Sequence, residues 1–388
     1  METIVYIGGE LPDKDASALR IMSNAKALRE FGYNVILIGQ IRGLKVYDIL
    51  EDRFEGFTSY LLPYPRTNIE WINETFSIEQ YLSVIQKFRN TVAVICYNFH
   101  TLALLRLVHY GKKNGIAVLS DCTEWHTTFH LHGIKKHAKS LDIFFRMNIA
   151  QFKTMGNIVI SQRLFDFYSR CNCIVIPPLV DLGEEKWKSS HANQNENCSF
   201  VYAGRIGIEK DLLNNCISAL YELRDYNFKM DILGITRNEY LNIYPTFGNI
   251  LDELEKKIFF HGMLPHCDAV EYIKKASFSI LIRNQTRKND FGFPTKFVES
   301  IACGTPVITS DFSDVKIYAQ KYSIGIMIEG TEKKSILAGL KSALLLSVDD
   351  RKTLIDNCFR CKAFDYRTYT NELGEFVSNT VKRIQNEN

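Results

Sequence analysis

Short apolar, β-branched runs recur along this chain, and each is followed by residues with helical spacing. That alternation limits the fold more than any other feature, because parallel strands need a crossover and a helix usually supplies it. Thr3–Ile7 is the first run. Gly8, Gly9 and a polar stretch to Asp15 form a loop, and Ala18, Met22, Ala25, Leu28 and Phe31 then make one helical stripe. Gly32 closes that helix and Asn34–Ile38 is the next strand. Val92–Cys96, Ile116–Leu119, Ile158–Ile160 and Ile174–Ile176 continue the series, with helices expected near Leu102–Tyr110 and Arg163–Tyr168. Further on, Phe200–Ala203, Lys229–Leu233, Ile258–Phe260, Phe278–Ile282, Val307–Ser310 and Gly325–Ile328 repeat the rhythm, and 331–385 reads as mostly helical. The class is α/β, with doubly wound parallel sheets.

Lys, Ser, His, Asn, Gln and Glu crowd the stretch from Leu182 to Cys198, the composition of a linker. A chain of 388 residues suits two Rossmann-like domains. The expected division is a first domain at 1–182, a linker at 183–198, a second domain at 199–366 and a final helix at 367–388. With 46% hydrophobic and 23% charged residues the composition is that of an ordinary globular protein, and a net charge of +3 is too small to argue for a nucleic-acid partner. Ten cysteines show no metal-ligand spacing, since Cys171 and Cys173 are too close for a zinc pair. Free thiols fit a reducing cytoplasm. No signal peptide is read at the N-terminus, and no apolar run approaches the roughly twenty residues that span a bilayer. A membrane-bound acceptor would be met at the surface, on the inner face of the cell membrane. The basic run Lys135-Lys136-His137-Ala138-Lys139 followed by Ile143-Phe144-Phe145 and Met147 is amphipathic and could touch anionic lipid; a solvated helix face packed inward is the alternative.

Two segments carry chemistry. In Gly292–Ile308 a Gly-Phe-Pro loop leads into a helix with Pro294 at its first position, and Glu299 lies one to two turns in. Gly304 and Pro306 end the helix before a buried strand. A helix start offers free amides to a phosphate, and a carboxylate deeper in can accept hydrogen bonds from sugar hydroxyls. In Phe200–Asp211 a strand ends at Gly204, Arg205 follows, and Lys210 stands near the next helix. An arginine fork and a lysine at the carboxyl edge of a sheet suit a diphosphate.

Gly204-Arg205 followed by Lys210-Asp211 resembles the "GR…KG" signature of family 4, the large family of retaining GT-B glycosyltransferases. The run from Gly292-Phe293-Pro294 through Glu299 to Gly304-Thr305-Pro306-Val307-Ile308 resembles that family's E-G-F-G-x-P-x-x-x-E-A-x-A-x-G-x-P-V-I block. The resemblance implies the GT-B fold, two Rossmann-like domains with an interdomain cleft and a helical tail that returns to the first domain. It also implies transfer of a hexose-type sugar, with retention and without metal, from a UDP- or GDP-linked donor to a hydroxyl of a glycan or lipid-linked acceptor. Arg205 and Lys210 would hold the diphosphate, together with Gly204, Gly292, Phe293, Thr295 and Lys296. Glu299 would bind the ribose, and the loops Gly234-Ile235-Thr236 and Gly262-Met263-Leu264 would flank the base. Gly8 and Gly9 would face the diphosphate from the acceptor side, with Arg20 as a further cation. Asp121, Glu124 and His126 follow a strand and are three open candidates for the acceptor hydroxyl or the sugar; an N-cap Asp is the alternative. His100, His261 and His266 read as capping, surface or packing residues. One position departs from the pattern: Phe291 stands where the family has a Glu, with Asp290 one residue earlier. Two other readings therefore stay open, a GT-B sugar-nucleotide epimerase and a non-catalytic GT-B binding subunit.

Overall fold

A computed structural model describes residues 1–11, 16–45, 48–128, 133–188, 197–205 and 211–387, apart from the side chains of 134 and 135. It divides into two compact units, Met1–Leu179 with Asp365–Asn388, and Val180–Phe364.

The first unit runs β1 (Thr3–Glu10), α1 (Ala16–Phe31), β2 (Asn34–Ile41), β3 (Leu50–Phe54), β4 (Phe57–Pro63), α2 (Asn68–Phe76), α3 (Glu79–Ile85), β5 (Thr91–Tyr97), α4 (Thr101–Asn114), β6 (Ala117–Cys122), α5 (Gly133–Phe145), β7 (Gly156–Val159), α6 (Gln162–Phe167) and β8 (Cys173–Val175). Its sheet has the order β3-β4-β2-β1-β5-β6-β7-β8. All neighbours are parallel except the β3–β4 hairpin. That hairpin was not read from the sequence, although Glu55 and Gly56 at its tip both take positive φ, as a two-residue hairpin turn of this hand requires. Side chains set the helix ends. Thr67 and Glu70 form a reciprocal capping box at α2, and Gly115 closes α4 in the left-handed conformation. One π turn, Arg146–Ala150, continues α5.

The second unit runs β9 (Cys198–Ala203), α7 (Leu213–Glu222), β10 (Phe228–Leu233), α8 (Arg237–Ile243), α9 (Gly248–Glu253), β11 (Ile258–Phe260), α10 (His266–Lys275), β12 (Phe278–Leu281), α11 (Arg287–Phe291), α12 (Thr295–Ala302), β13 (Val307–Ser310), α13 (Val315–Tyr322), β14 (Gly325–Ile328), α14 (Lys333–Leu345) and α15 (Val348–Arg360). Its sheet is wholly parallel, in the order β11-β10-β9-β12-β13-β14. Strands buried on both faces explain the nearly continuous apolar runs. In the expected linker, a 3-10 turn at Glu185–Trp187 already belongs to this unit and buries Trp187; residues 189–196 lie outside the described set.

The last helix, α16 (Thr370–Glu387), returns to the first unit. Leu373, Val377, Val381 and Ile384 join the core around Ile4, Leu28 and Leu119. Burying each such side chain contributes on the order of 1.5–3 kcal/mol. The backbone amide of Val180 donates to Phe364 O at 2.9 Å, so the second unit enters and leaves at one place.

Candidate functional site

In the second unit the chain builds β9, β10 and β11 in one direction, then returns to lay β12 on the other side of β9. Ligands in open α/β sheets collect at such a reversal, beyond the carboxyl ends of the strands. Three charged side chains and a tyrosine hydroxyl meet there. Asp211, just before α7, is buried; Arg283 Nε, past β12, donates to its Oδ1 at 2.6 Å. Lys296 Nζ, from the first turn of α12, donates to Asp211 Oδ2 at 3.0 Å and to the Tyr202 hydroxyl at 3.1 Å. Tyr202 donates in turn to Asp211 Oδ2 at 2.6 Å. Burial works against ionisation of Asp211, but Lys296 and Arg283 outweigh it and hold the carboxyl at about 2. Burial pulls Lys296 below the ordinary lysine value, and Asp211 opposes that shift.

Gly204 explains how α12 comes so close to β9. Its φ is +123°, and a Cβ there would lie 2.4 Å from Lys296 Cε. Any larger residue would push the lysine away. Arg205 follows with an exposed side chain that has no ion pair or side-chain hydrogen bond among the described residues. Lys210 lies outside the described residues.

At α12 the structure moves Pro294 from first helical residue to N-cap, with no capping side chain, so the opening amides beside Thr295 and Lys296 receive no side-chain acceptor among the described residues. Glu299 is partly buried, and its Oε1 lies 3.2 Å from His266 Nε2. His266 opens α10 and meets the Trp187 ring edge-on at 6.4 Å. It was read as a surface or packing residue; it instead holds the carboxylate assigned to the ribose. The only signal was its position after a strand and turn, too weak to pair it with a residue 33 positions away. His261 binds Asp231 at 2.7 Å.

One expected donor contact is corrected. Phe293 is buried among Phe297, Tyr318 and Phe364, so it packs the core and does not line a pocket. Gly292 is extended, and its carbonyl accepts from the Ser313 hydroxyl. Asp290 Oδ1 accepts from the Ser313 amide at 3.2 Å, and Phe291 lies against the Arg287 guanidinium at 5.4 Å. Gly262 takes positive φ after β11, and Met263 beside it is exposed.

The first unit gives a different picture. Gly8 and Gly9 lie within β1 and not in a loop. A Cβ on Gly8 would lie 2.8 Å from Tyr97 Cβ, and one on Gly9 2.9 Å from Ile21 Cδ1, so close packing already accounts for both glycines. Asp121 has no exposed surface. Arg20 Nη2 donates to its Oδ1 at 2.7 Å, and the Tyr6 hydroxyl to its Oδ2 at 2.5 Å. Arg20 Nη1 reaches Ile176 O at 2.9 Å and Pro177 O at 3.3 Å. Arg20 is thus no cleft cation, and Asp121 is closed to an acceptor hydroxyl; together they brace α1, β6 and the segment after β8. Glu124 and His126, on the loop after β6, remain partly exposed with Oε1 and Nδ1 3.4 Å apart. His100 binds Asp142, whose other oxygen accepts from the Thr101 amide at the start of α4. In the amphipathic stretch Ile143 and Met147 turn inward, while Phe144 and Phe145 face out.

Residues 183–359 match the family model described as glycosyl transferases group 1. No curated protein matches the sequence. Among solved structures, sucrose-phosphate synthase from Thermosynechococcus elongatus superposes with a TM-score of 0.72 at 13% identity, covering 99% of this chain and 100% of that chain. The catalytic domain of starch synthase IV from Arabidopsis thaliana, bound to ADP and acarbose, gives 0.73 at 10% identity over 98% and 100%. Anabaena HepE in complex with UDP and glucose gives 0.66 at 12% identity over 98% and 100%. The fold is GT-B. In this GT-B chain the family match spans Arg205, Arg283, Lys296, Glu299 and His266, whereas Asp121, Glu124 and His126 lie outside it.

Proposed function

We propose that this protein is a retaining glycosyltransferase. It moves a hexose-type sugar from a UDP- or GDP-linked donor to a hydroxyl of a glycan or lipid-linked acceptor, without a metal. It works in the cytoplasm, peripherally on the inner face of the cell membrane. The observation that carries this reading is the meeting of α12 with the end of β9, where Lys296 crosses Gly204 beside the uncapped helix start and the exposed Arg205 has no ion pair among the described residues.

Breaking the anomeric bond builds negative charge on the departing diphosphate. Arg205, Lys296 and the opening amides of α12 stabilise that charge, and Lys296 and the amides are oriented before the reaction begins. Asp211 holds one positive charge fewer than it is given, so a cationic surplus faces the ligand. Glu299, steadied by His266, accepts hydrogen bonds from the ribose hydroxyls. Glu124 and His126 serve the acceptor side. The match to glycosyl transferases group 1 and the UDP and ADP named with GT-B neighbours support a nucleotide-linked donor.

A thermal-shift screen of UDP- and GDP-sugars identifies the donor, because a ligand at a hundred times its Kd stabilises the fold by roughly 2.7 kcal/mol. Arg205 is exposed, so Arg205→Ala leaves the fold intact and lowers turnover about 10²–10³-fold. Undiminished turnover in that variant rejects the assignment. Product formed without acceptor identifies an epimerase, and binding without turnover a non-catalytic subunit.

A further inference from the structure

We propose that Ser313 is a positioning residue of the donor site. It fixes the one free hinge in the segment that leads into α12, and so keeps the opening amides of that helix aimed at the diphosphate. This role rests on the donor-site reading above. Three residues, Gly292, Phe293 and Pro294, join α11 to α12. The ring of Pro294 locks its own φ, and it restricts Phe293 in turn. The Phe293 side chain is anchored against Phe297, Tyr318 and Phe364. Gly292 has neither restraint, and glycine has the widest backbone freedom of any residue. Rotation about its ψ would swing everything after it, the start of α12 included. Ser313 opposes that rotation, because its hydroxyl donates to the Gly292 carbonyl. Its amide donates to Asp290 Oδ1, on α11, at 3.2 Å.

Ser313 makes both bonds from a strained backbone. Its φ is +50°, where side chains of L-residues are crowded. Three other non-glycine residues have positive φ among the described residues. Glu55 tips a hairpin, Ser323 closes α13 in the left-handed conformation, and Asn98 is of a type that tolerates that region. Ser313 lies instead in the turn between β13 and α13. A glycine there would remove the strain and lose the hydroxyl with it. The residues just before Ser313 hold Arg283. Ser310 Oγ accepts from the Arg283 amide at 2.9 Å and donates to its carbonyl at 2.7 Å. The buried Phe312 ring lies 5.5 Å from the Arg283 guanidinium. The segment 310–313 thus touches both the ion-paired cluster around Asp211 and the lead into α12.

Calorimetric titration of the full chain with UDP and with GDP, beside denaturant unfolding, tests this role. Ser313→Gly should unfold at or near the wild-type denaturant concentration, because relief of strain offsets the lost hydrogen bond. It should nevertheless bind the nucleoside diphosphate that the wild type prefers about fivefold more weakly. Its affinity for the matching nucleoside, uridine or guanosine, measured by competition, should stay at the wild-type value. Ser313→Thr restores the hydroxyl on a β-branched residue, which tolerates positive φ poorly. That variant should unfold more easily and still recover most of the diphosphate affinity. A merely structural serine would give the opposite pattern, with affinity following stability. Unchanged diphosphate affinity in Ser313→Gly, equal losses for nucleoside and diphosphate, or affinity that tracks the unfolding midpoint across the three proteins would each overturn the role while leaving the donor reading in place. A wild type that binds neither UDP nor GDP would overturn both.

Discussion

Each unit buries an aspartate near its topological reversal, beside an arginine and a tyrosine hydroxyl: Asp121 with Arg20 and Tyr6 in the first, Asp211 with Arg283 and Tyr202 in the second. The first set is neutral, and the remaining Arg20 donors end on backbone carbonyls. The second adds Lys296, which leaves one positive charge over and the lysine side chain partly exposed. The same types of residue thus make a brace in one place and an anion-facing site in the other. What separates them is one uncompensated cation and its access to solvent.

The sharpest way to break this contrast is Asp121→Ala. Removing one partner of a buried ion pair strands the other, at a cost of about 3–5 kcal/mol. Denaturant unfolding should show that loss. A variant as stable as the wild type but unable to transfer sugar would make the first set a reaction site and erase the distinction. A smaller effect is expected on acidification. The Asp211 carboxyl sits at about 2, below its unfolded value, so its stabilising contribution is complete above roughly pH 4 and fades as the pH falls toward 2. It amounts to about 2 kcal/mol, and thermal melts across that window should be less steep in Asp211→Asn. An identical acid slope in the two proteins would mean that Lys296 and Arg283 do not favour the carboxylate. The smallest effect concerns His266. His266→Ala should raise the KM for donor about five- to tenfold, roughly 1 kcal/mol, with little change in kcat, and His266→Gln should recover part of it. Unchanged KM in steady-state assays would separate Glu299 from the ribose.

The alternation of apolar runs and helical stripes marks twelve of the strands in the sequence itself, because each strand's pattern is local. In the β3–β4 hairpin, β3 escaped because it lies on the sheet edge and its largely charged, exposed run carries little burial to mark it. The two donor-side motifs could be picked out for a related reason: Gly204-Arg205 and the α12 segment are each contiguous in the chain. Asp121 was misread because the residue that neutralises it, Arg20, is 101 positions away. The Glu299–His266 contact is likewise long-range, and chain spacing carries no sign of it. Gly8 and Gly9 were assigned to a ligand when a neighbouring tyrosine and isoleucine already require them to be small.

The return of α16 also bears on the order in which the protein can assemble during synthesis. Its four core side chains leave the ribosome only after the whole of Val180–Phe364 has been translated. At about 5–20 residues per second, the nascent first unit waits roughly ten to forty seconds with an apolar groove open. The unit made later can finish first, and the earlier one needs the end of the chain to seal it.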